Sequence, residues 1–152
     1  MRKFLISLAV TAMLGTSAAC SSAASAPAEV KPETTDAAEV ERVAGVDLPS
    51  SAKLIHAESA GFQDTQVWAV FTMPAAELPA FLRAGKLPEP TDGLRSGSEG
   101  FPWQPDPDPT KAVKVTGIDQ FEKASPEGYV RKLMFDLDDP EELTVFLVAT
   151  TT

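Results

Sequence analysis

The fold of this chain is decided by residues 65–73, TQVWAVFTM. β-Branched and aromatic side chains are frequent in this stretch, and apolar residues occupy both sets of alternating positions. In an extended strand the two sets project to opposite faces: Val67, Ala69, Phe71 and Met73 to one face, Trp68 and Val70 to the other. Because both faces are apolar, the pattern predicts a central strand that is covered on both sides.

The segment before this strand predicts its hairpin partner. Residues 52–59, AKLIHAES, have the composition of a strand, and residues 61–64, GFQD, supply turn chemistry. We therefore expect two antiparallel neighbours at this point of the chain. The only histidine, His56, falls in the first of them, where we expect a partly exposed side chain.

A short helix is predicted after the central strand. Thr72 is a candidate N-cap, and Gly85 is a candidate for the residue that ends the helix. Apolar residues between them recur at helical spacing: Leu78, Phe81 and Leu82. Pro79 leaves two alternatives, because a proline inside a helix removes a hydrogen bond: the helix either bends there or begins there.

Residues 86–110 contain six prolines and three glycines, which interrupt both helices and strands. The segment is therefore predicted to be one long irregular loop. Irregular loops longer than about 15 residues are uncommon inside compact domains and often carry function. We expect this loop to be the functional part of the domain.

The second half of the chain returns to strand patterns. Residues 112–116, 128–137 and 142–150 alternate or run apolar, and the acidic residues 138–141, DDPE, form a turn between the last two strands. The last strand is apolar enough to be interior. The simplest assembly is a two-layer α+β domain, with a small antiparallel sheet in the order β-β-α-loop-β-β and one helix packed on a face.

The amino-terminal residues have the three parts of a secretory signal peptide. Arg2 and Lys3 are positive, an apolar segment of about a dozen residues follows, and small side chains precede the only cysteine, Cys20. The apolar segment is short for a membrane span. Residues 1–19 are therefore predicted to be a signal peptide.

Ala18, Ala19 and Cys20 resemble the lipobox of bacterial lipoproteins, although Ser17 stands where that motif usually has leucine. The resemblance implies that Cys20 is lipidated, that it becomes the first residue of the mature chain, and that acyl chains hold the protein on the extracytoplasmic face of the cell membrane. The Ala/Pro-rich segment that follows is similar to those of small actinobacterial lipoproteins. The alternative is an ordinary signal that leaves one unpaired thiol.

Residues 20–43 are predicted to be the lipidated cysteine and a disordered tether. Beyond Cys20 this segment contains three isolated valines and no aromatic residue, too little apolar surface to offset the entropy of ordering. Its one structural feature is a weak helical pattern in residues 36–43. The folded extracytoplasmic domain is therefore predicted to span residues 44–152, with the loop 86–110 inside it.

The charge of the chain excludes nucleic acid as a partner. The formal net charge is -9, and removing residues 1–19 takes away two cations and no acid, which leaves -11. An acidic surface of this size repels nucleic acid and anionic headgroups.

Motifs for catalysis are missing from the sequence. It has no Gly-x-Ser-x-Gly elbow, no His-Glu-x-x-His, no phosphate loop and no Cys-x-x-Cys. His56 has no sequence-local nucleophile or orienting acid, and Cys20 loses its thiol if it is lipidated. We predict no catalytic residue, no cofactor and no enzymatic activity.

Two groups of residues are candidates for binding. Asp136, Asp138 and Asp139 concentrate the oxygen ligands that calcium prefers, but an acidic turn also serves solubility and discourages edge pairing. Phe101 and Trp103 are held between prolines in the long loop. They either present a stacking surface to a ligand or anchor the loop to the core.

Three classes of function follow. The first is a non-enzymatic lipoprotein that binds another envelope protein, or its own kind, through a sheet face or the loop. The second is a carbohydrate or cell-wall ligand module that uses Phe101 and Trp103. The third is a hydrolase with a carboxylate pair, such as Asp136 with Glu58 or Asp64, which requires two acids roughly 5–10 Å apart.

Overall fold

The computed structural model describes residues 30–61, 64–121 and 129–151. Within these ranges the elements are β1 (Glu33–Thr34), α1 (Ala37–Ala44), β2 (Lys53–Gly61), β3 (Thr65–Pro74), a 3-10 turn (Ala75–Glu77), α2 (Leu78–Ala84), β4 (Thr91–Asp92), a second 3-10 turn (Pro109–Lys111), β5 (Val115–Gln120), β6 (Tyr129–Asp136) and β7 (Glu142–Thr151). The strands form one antiparallel sheet in the order β1-β2-β3-β7-β6-β5-β4. The predicted α+β class is confirmed.

β3 and β7 form the centre of the sheet. Their register runs from Thr65 opposite Thr151 to Pro74 opposite Glu142. β2 flanks β3 through the predicted hairpin, and β6 flanks β7 across the acidic turn. The predictions of a central strand at residues 65–73 and of an interior last strand are therefore confirmed.

Both helices pack on one face of the sheet. That face carries the alternating apolar residues of β3, β6 and β7, and Val40 and Val43 of α1 are fully buried against them. From α2, the ring of Phe81 meets Phe71 and Phe135 edge to face, at centroid distances of 6.0 and 6.4 Å. None of the helices in the described part of the chain is long and apolar enough to cross a membrane.

The predicted boundary between tether and domain is wrong over residues 33–43. β1 pairs with β2, and Asp36 caps α1 by accepting the backbone N–H of Glu39 at 3.0 Å. α1 then buries Val40 and Val43 against the sheet. The weak helical pattern of residues 36–43 is therefore a folded helix of the domain, and its few apolar residues share one face. Cys20 and residues 1–29 lie outside the described residues.

The predicted N-cap of the second helix needs correction, whereas its predicted end at Gly85 is confirmed. Thr72 does not cap it, because this residue lies inside β3 opposite Lys53 and Thr144. α2 begins at Leu78, with Pro79 in its first turn, so the alternative in which the helix begins at that proline is correct. Gly85 is the C-cap, but its neighbour Lys86 adopts the left-handed conformation, with φ of 48°.

Candidate functional site

The long loop packs on the face of the sheet opposite the helices. Phe101 and Trp103 pack against a second apolar cluster, which consists of Val70, Ala112, Val115, Met134 and Phe146. The segment 86–110 contains β4 and the start of the Pro109–Lys111 turn and is otherwise irregular. The predicted loop is therefore present, and it serves as the second cover of the sheet.

Polar contacts and close packing hold the loop in place. Arg95 donates hydrogen bonds to the carbonyl oxygens of Pro109, at 3.1 Å, and Ala112, at 2.6 Å. On the sheet side, Gly117 of β5 is so close to the loop that a Cβ atom at residue 117 would clash with the carbonyl oxygen of Leu94. The loop therefore has one defined position on the sheet.

The acidic turn fixes the carboxyl end of the same loop. Asp138 accepts the backbone N–H groups of Val113 and Lys114 at 2.8 and 2.7 Å. These hydrogen bonds, that of Val113 first, hold the pKa of the Asp138 carboxyl below its usual value. The carboxylate is thus a tie between the β6–β7 turn and the loop.

The structure does not bring the three aspartates together as a metal site. Asp136 accepts the backbone N–H of Asp138, and Asp139 accepts those of Glu141 and Glu142. Each carboxylate therefore binds backbone donors instead of converging on one point. In the ranges that the structure covers, no three His, Cys, Asp or Glu residues are grouped to hold a metal ion.

The tie made by Asp138 predicts a pH dependence. Because its pKa is lowered from 3.8 in the folded chain, its stabilising contribution is complete above about pH 4 and is lost as the pH falls through the lowered pKa. Asp138→Asn is therefore expected to unfold at lower urea than the parent at neutral pH, and the difference is expected to shrink in acid. Urea unfolding from pH 7 to pH 3 measures this. A difference that does not change with pH would contradict it.

Phe101 and Trp103 form a continuous row of aromatic rings with the sheet. The centroid of Phe101 lies 6.4 Å from that of Phe146 and 5.0 Å from that of Trp103. Trp103 in turn meets the ring of His56 edge to face at 4.4 Å. Phe101 and Trp103 are both only half-buried. The two rings anchor the loop and still present surface to solvent, so neither of the predicted alternatives is eliminated.

An open groove of about 390 Å³ runs beside these rings. It is lined by Ser98, Gly100, Phe101, Trp103, Gln104, Pro105, Asp108, Pro109 and Thr110. Asp108 is held by the backbone N–H and the hydroxyl of Thr110, at 2.9 and 2.7 Å. The groove thus combines aromatic surface with the fixed carboxylate of Asp108 and the exposed amide side chain of Gln104.

The ring of His56 makes a polar contact with one carboxylate, that of Glu58. Its Nε2 lies 3.1 Å from Oε1 of Glu58, and its side chain is 38% exposed. The predicted partly exposed strand position is confirmed. Trp68, on the same face, is 9% exposed and packs as its alternation predicted.

The proposed carboxylate pairs for hydrolysis do not form. Across the sheet, Glu58 of β2 lies opposite Trp68 of β3. Trp68 lies opposite Val148 of β7, which in turn lies opposite Lys132 of β6. Asp136 is four residues farther along β6, so strand spacings place it about 19 Å from Glu58. Asp64 precedes β3, at the other end of the sheet from Asp136. These separations exceed what paired acids require.

Arg131 is the residue that the sequence analysis missed. It is 1% exposed, and its Nε donates to Oε1 of Gln120 at 2.9 Å. Its Nη1 donates to the carbonyl oxygens of Ala44 and Gly45, at 3.3 and 3.0 Å, and to that of Gly85 at 2.9 Å. The guanidinium therefore joins the carboxyl-terminal ends of both helices, where the helix dipoles favour a cation.

The alternation of residues in β6 indicates that Arg131 is buried. Leu133 and Phe135 face the helices, and the next position on the same face toward the start of the strand is Arg131. A charged residue on a buried face requires partners. Helix ends supply carbonyl oxygens for that purpose.

No protein-family model, no curated protein and no solved structure shows significant similarity to this chain.

Proposed function

We propose that this protein is a non-enzymatic binding domain of the cell envelope, held on the extracytoplasmic face of the membrane by acyl chains on Cys20. Its ligand binds in the loop groove, defined by the residues that line it from Ser98 to Thr110. The observation that carries the proposal is the half-exposed ring of Trp103, fixed against His56 in a loop that is held to the sheet by β4 before the ring and by Asp138 after it.

Fixing the loop before a ligand arrives favours binding. Ordering a loop residue costs roughly 1–2 kcal/mol, and the contacts of Arg95, Asp138 and the aromatic rings meet this cost during folding. A ligand then gains aromatic contact area without ordering the loop again. Prolines at positions 102, 105 and 109 restrict the backbone further.

The ligand that we favour is another protein of the envelope. The groove is open to solvent, which suits a segment of a protein surface. The mature chain has a net charge of -11, so the partner surface is expected to be neutral or basic around the contact.

A carbohydrate of the cell wall is the second candidate, and one feature of the groove favours it. Gln104 and Asp108 line the groove together with Trp103. Amide and carboxylate groups bind sugar hydroxyls, while an aromatic face packs on the apolar side of a sugar ring.

Trp103→Ala is expected to weaken ligand binding at least tenfold, since half-buried tryptophans in a contact surface are frequent hot spots. The measurement is cross-linking of the full-length protein in its native membrane, followed by mass spectrometry. A protein partner whose link is lost in the variant supports the first candidate. A link that disappears only on competition with cell-wall glycans supports the second.

Two further variants separate binding from folding. Gln104→Ala truncates an exposed side chain in the groove, and Val113→Ala truncates an 81% exposed side chain outside it. Both are expected to fold as the parent does, and only the first is expected to weaken binding. If the partner binds equally well to the Trp103 and Gln104 variants, the groove is not the site.

A further inference from the structure

The folded domain begins much closer to Cys20 than its composition suggests. β1 starts at Glu33, Thr35 donates to the carbonyl oxygen of Ala57 at 3.0 Å, and α1 follows directly. The described chain starts at Val30, so nine residues separate it from Cys20. Whatever their conformation, these residues reach at most about 36 Å. A tether that ended at residue 43 would have reached about 85 Å.

The groove is also near the end of the sheet from which the tether leaves. Val30 shares a surface pocket with Ala60, Gly61 and Thr65, at the β2–β3 end of the sheet. Trp103 contacts His56, which lies five residues before Gly61 on β2. Five strand residues span about 17 Å. Crossing from the side of the sheet that carries α1 to the side that carries the loop adds about 10 Å, so the groove is held within roughly 65 Å of the acyl chains on Cys20.

We infer that the groove is a membrane-proximal site, and that its partner is a protein anchored in the same membrane whose extracytoplasmic part lies within this distance. The inference rests on the proposed function, because it requires both lipidation of Cys20 and binding in the groove. The charge of -11 disfavours anionic headgroups as the ligand. A ligand that lies farther from the membrane than this distance is beyond the reach of the groove.

The length of the tether tests this directly. A photo-cross-linker replaces Asp106, an exposed residue next to the groove that does not line it, and a 40-residue Gly/Ser spacer is inserted between Ala28 and Glu29. If the partner is already within reach, a fivefold longer tether lowers the effective concentration of the groove near that partner. The cross-linking yield is then expected to fall roughly tenfold. For a more distant ligand, the spacer would raise the yield. An unchanged or increased yield overturns the inference.

Removal of the cell wall is a second, independent test of whether the partner lies in the membrane. With the membrane intact, the same cross-linked protein is expected at the same yield after enzymatic digestion of the wall. Loss of the product would assign the ligand to the wall and overturn the inference. Failure of the proposed function would give different results. If Cys20 is not lipidated, the protein enters the aqueous phase on detergent phase separation. If the ligand binds outside the groove, the cross-linking yield does not change in Trp103→Ala.

Discussion

Replacing Arg131 by methionine is expected to lower the free energy of unfolding by about 3–5 kcal/mol. The side chain is 1% exposed and donates to one side-chain oxygen and to three backbone carbonyl oxygens. Methionine fills most of the volume but supplies no donor, so the buried carbonyls of Ala44 and Gly85 and the half-buried carbonyl of Gly45 lose a partner. Each such loss costs about 1–3 kcal/mol.

Urea denaturation of the chain without its signal segment measures the effect. Arg131→Lys keeps the charge but lacks the planar set of donors, and it is expected to recover only part of the loss. Arg83→Met removes an exposed arginine of α2 and is expected to change stability by less than about 0.5 kcal/mol. Equal effects of the Arg131 and Arg83 substitutions would contradict the assigned role.

Gly117→Ala is expected to lower stability by about 3 kcal/mol, at the upper end for an overpacked core. Gly117 is buried in β5 and does not need a positive φ, so its role is close approach. The new Cβ would clash with the carbonyl oxygen of Leu94 and lie 2.8 Å from that of Leu133. Both neighbours are backbone atoms, so the loop must move away from the sheet.

Gly93→Ala is the matched control for this prediction. A Cβ at Gly93 meets nothing within 4 Å, and its cost of about 1 kcal/mol comes from the positive φ of 73°. Urea unfolding compares the two variants. Gly117→Ala is also expected to weaken ligand binding because it displaces the loop. A Gly117 variant as stable as the Gly93 variant would contradict the close packing of loop and sheet.

The sheet was predictable because its signals are local. The alternation in residues 65–73 and 142–150 defined two central strands, and the acidic turn defined the hairpin of β6 and β7. The helix α1 was recognised only as a weak pattern in residues 36–43, and it was assigned to the tether instead of the folded domain. It has three buried residues within eight, and averaging the composition over residues 20–43 concealed them.

The site was less predictable, because contacts distant in sequence create it. The composition of residues 86–110 indicated a loop and its two aromatic residues. Nothing local, however, placed Trp103 against His56, or Phe101 against Phe146. The tie from Asp138 to Val113 similarly joins segments that are 25 residues apart. The composition of the acidic turn therefore suggested a metal site, whereas its carboxylate oxygens accept hydrogen bonds from backbone N–H groups.

The position of β7 determines the order in which this domain can assemble. β7 is the last of the described strands in the chain, yet it lies between β3 and β6. A chain released from its amino end first can form a sheet fragment from β1 to β3 and another from β4 to β6. Neither fragment can join the other until residues 142–151 arrive. The complete sheet therefore cannot form until β7 has been released, and the edges of β3 and β6 that β7 later covers are exposed to aggregation until then.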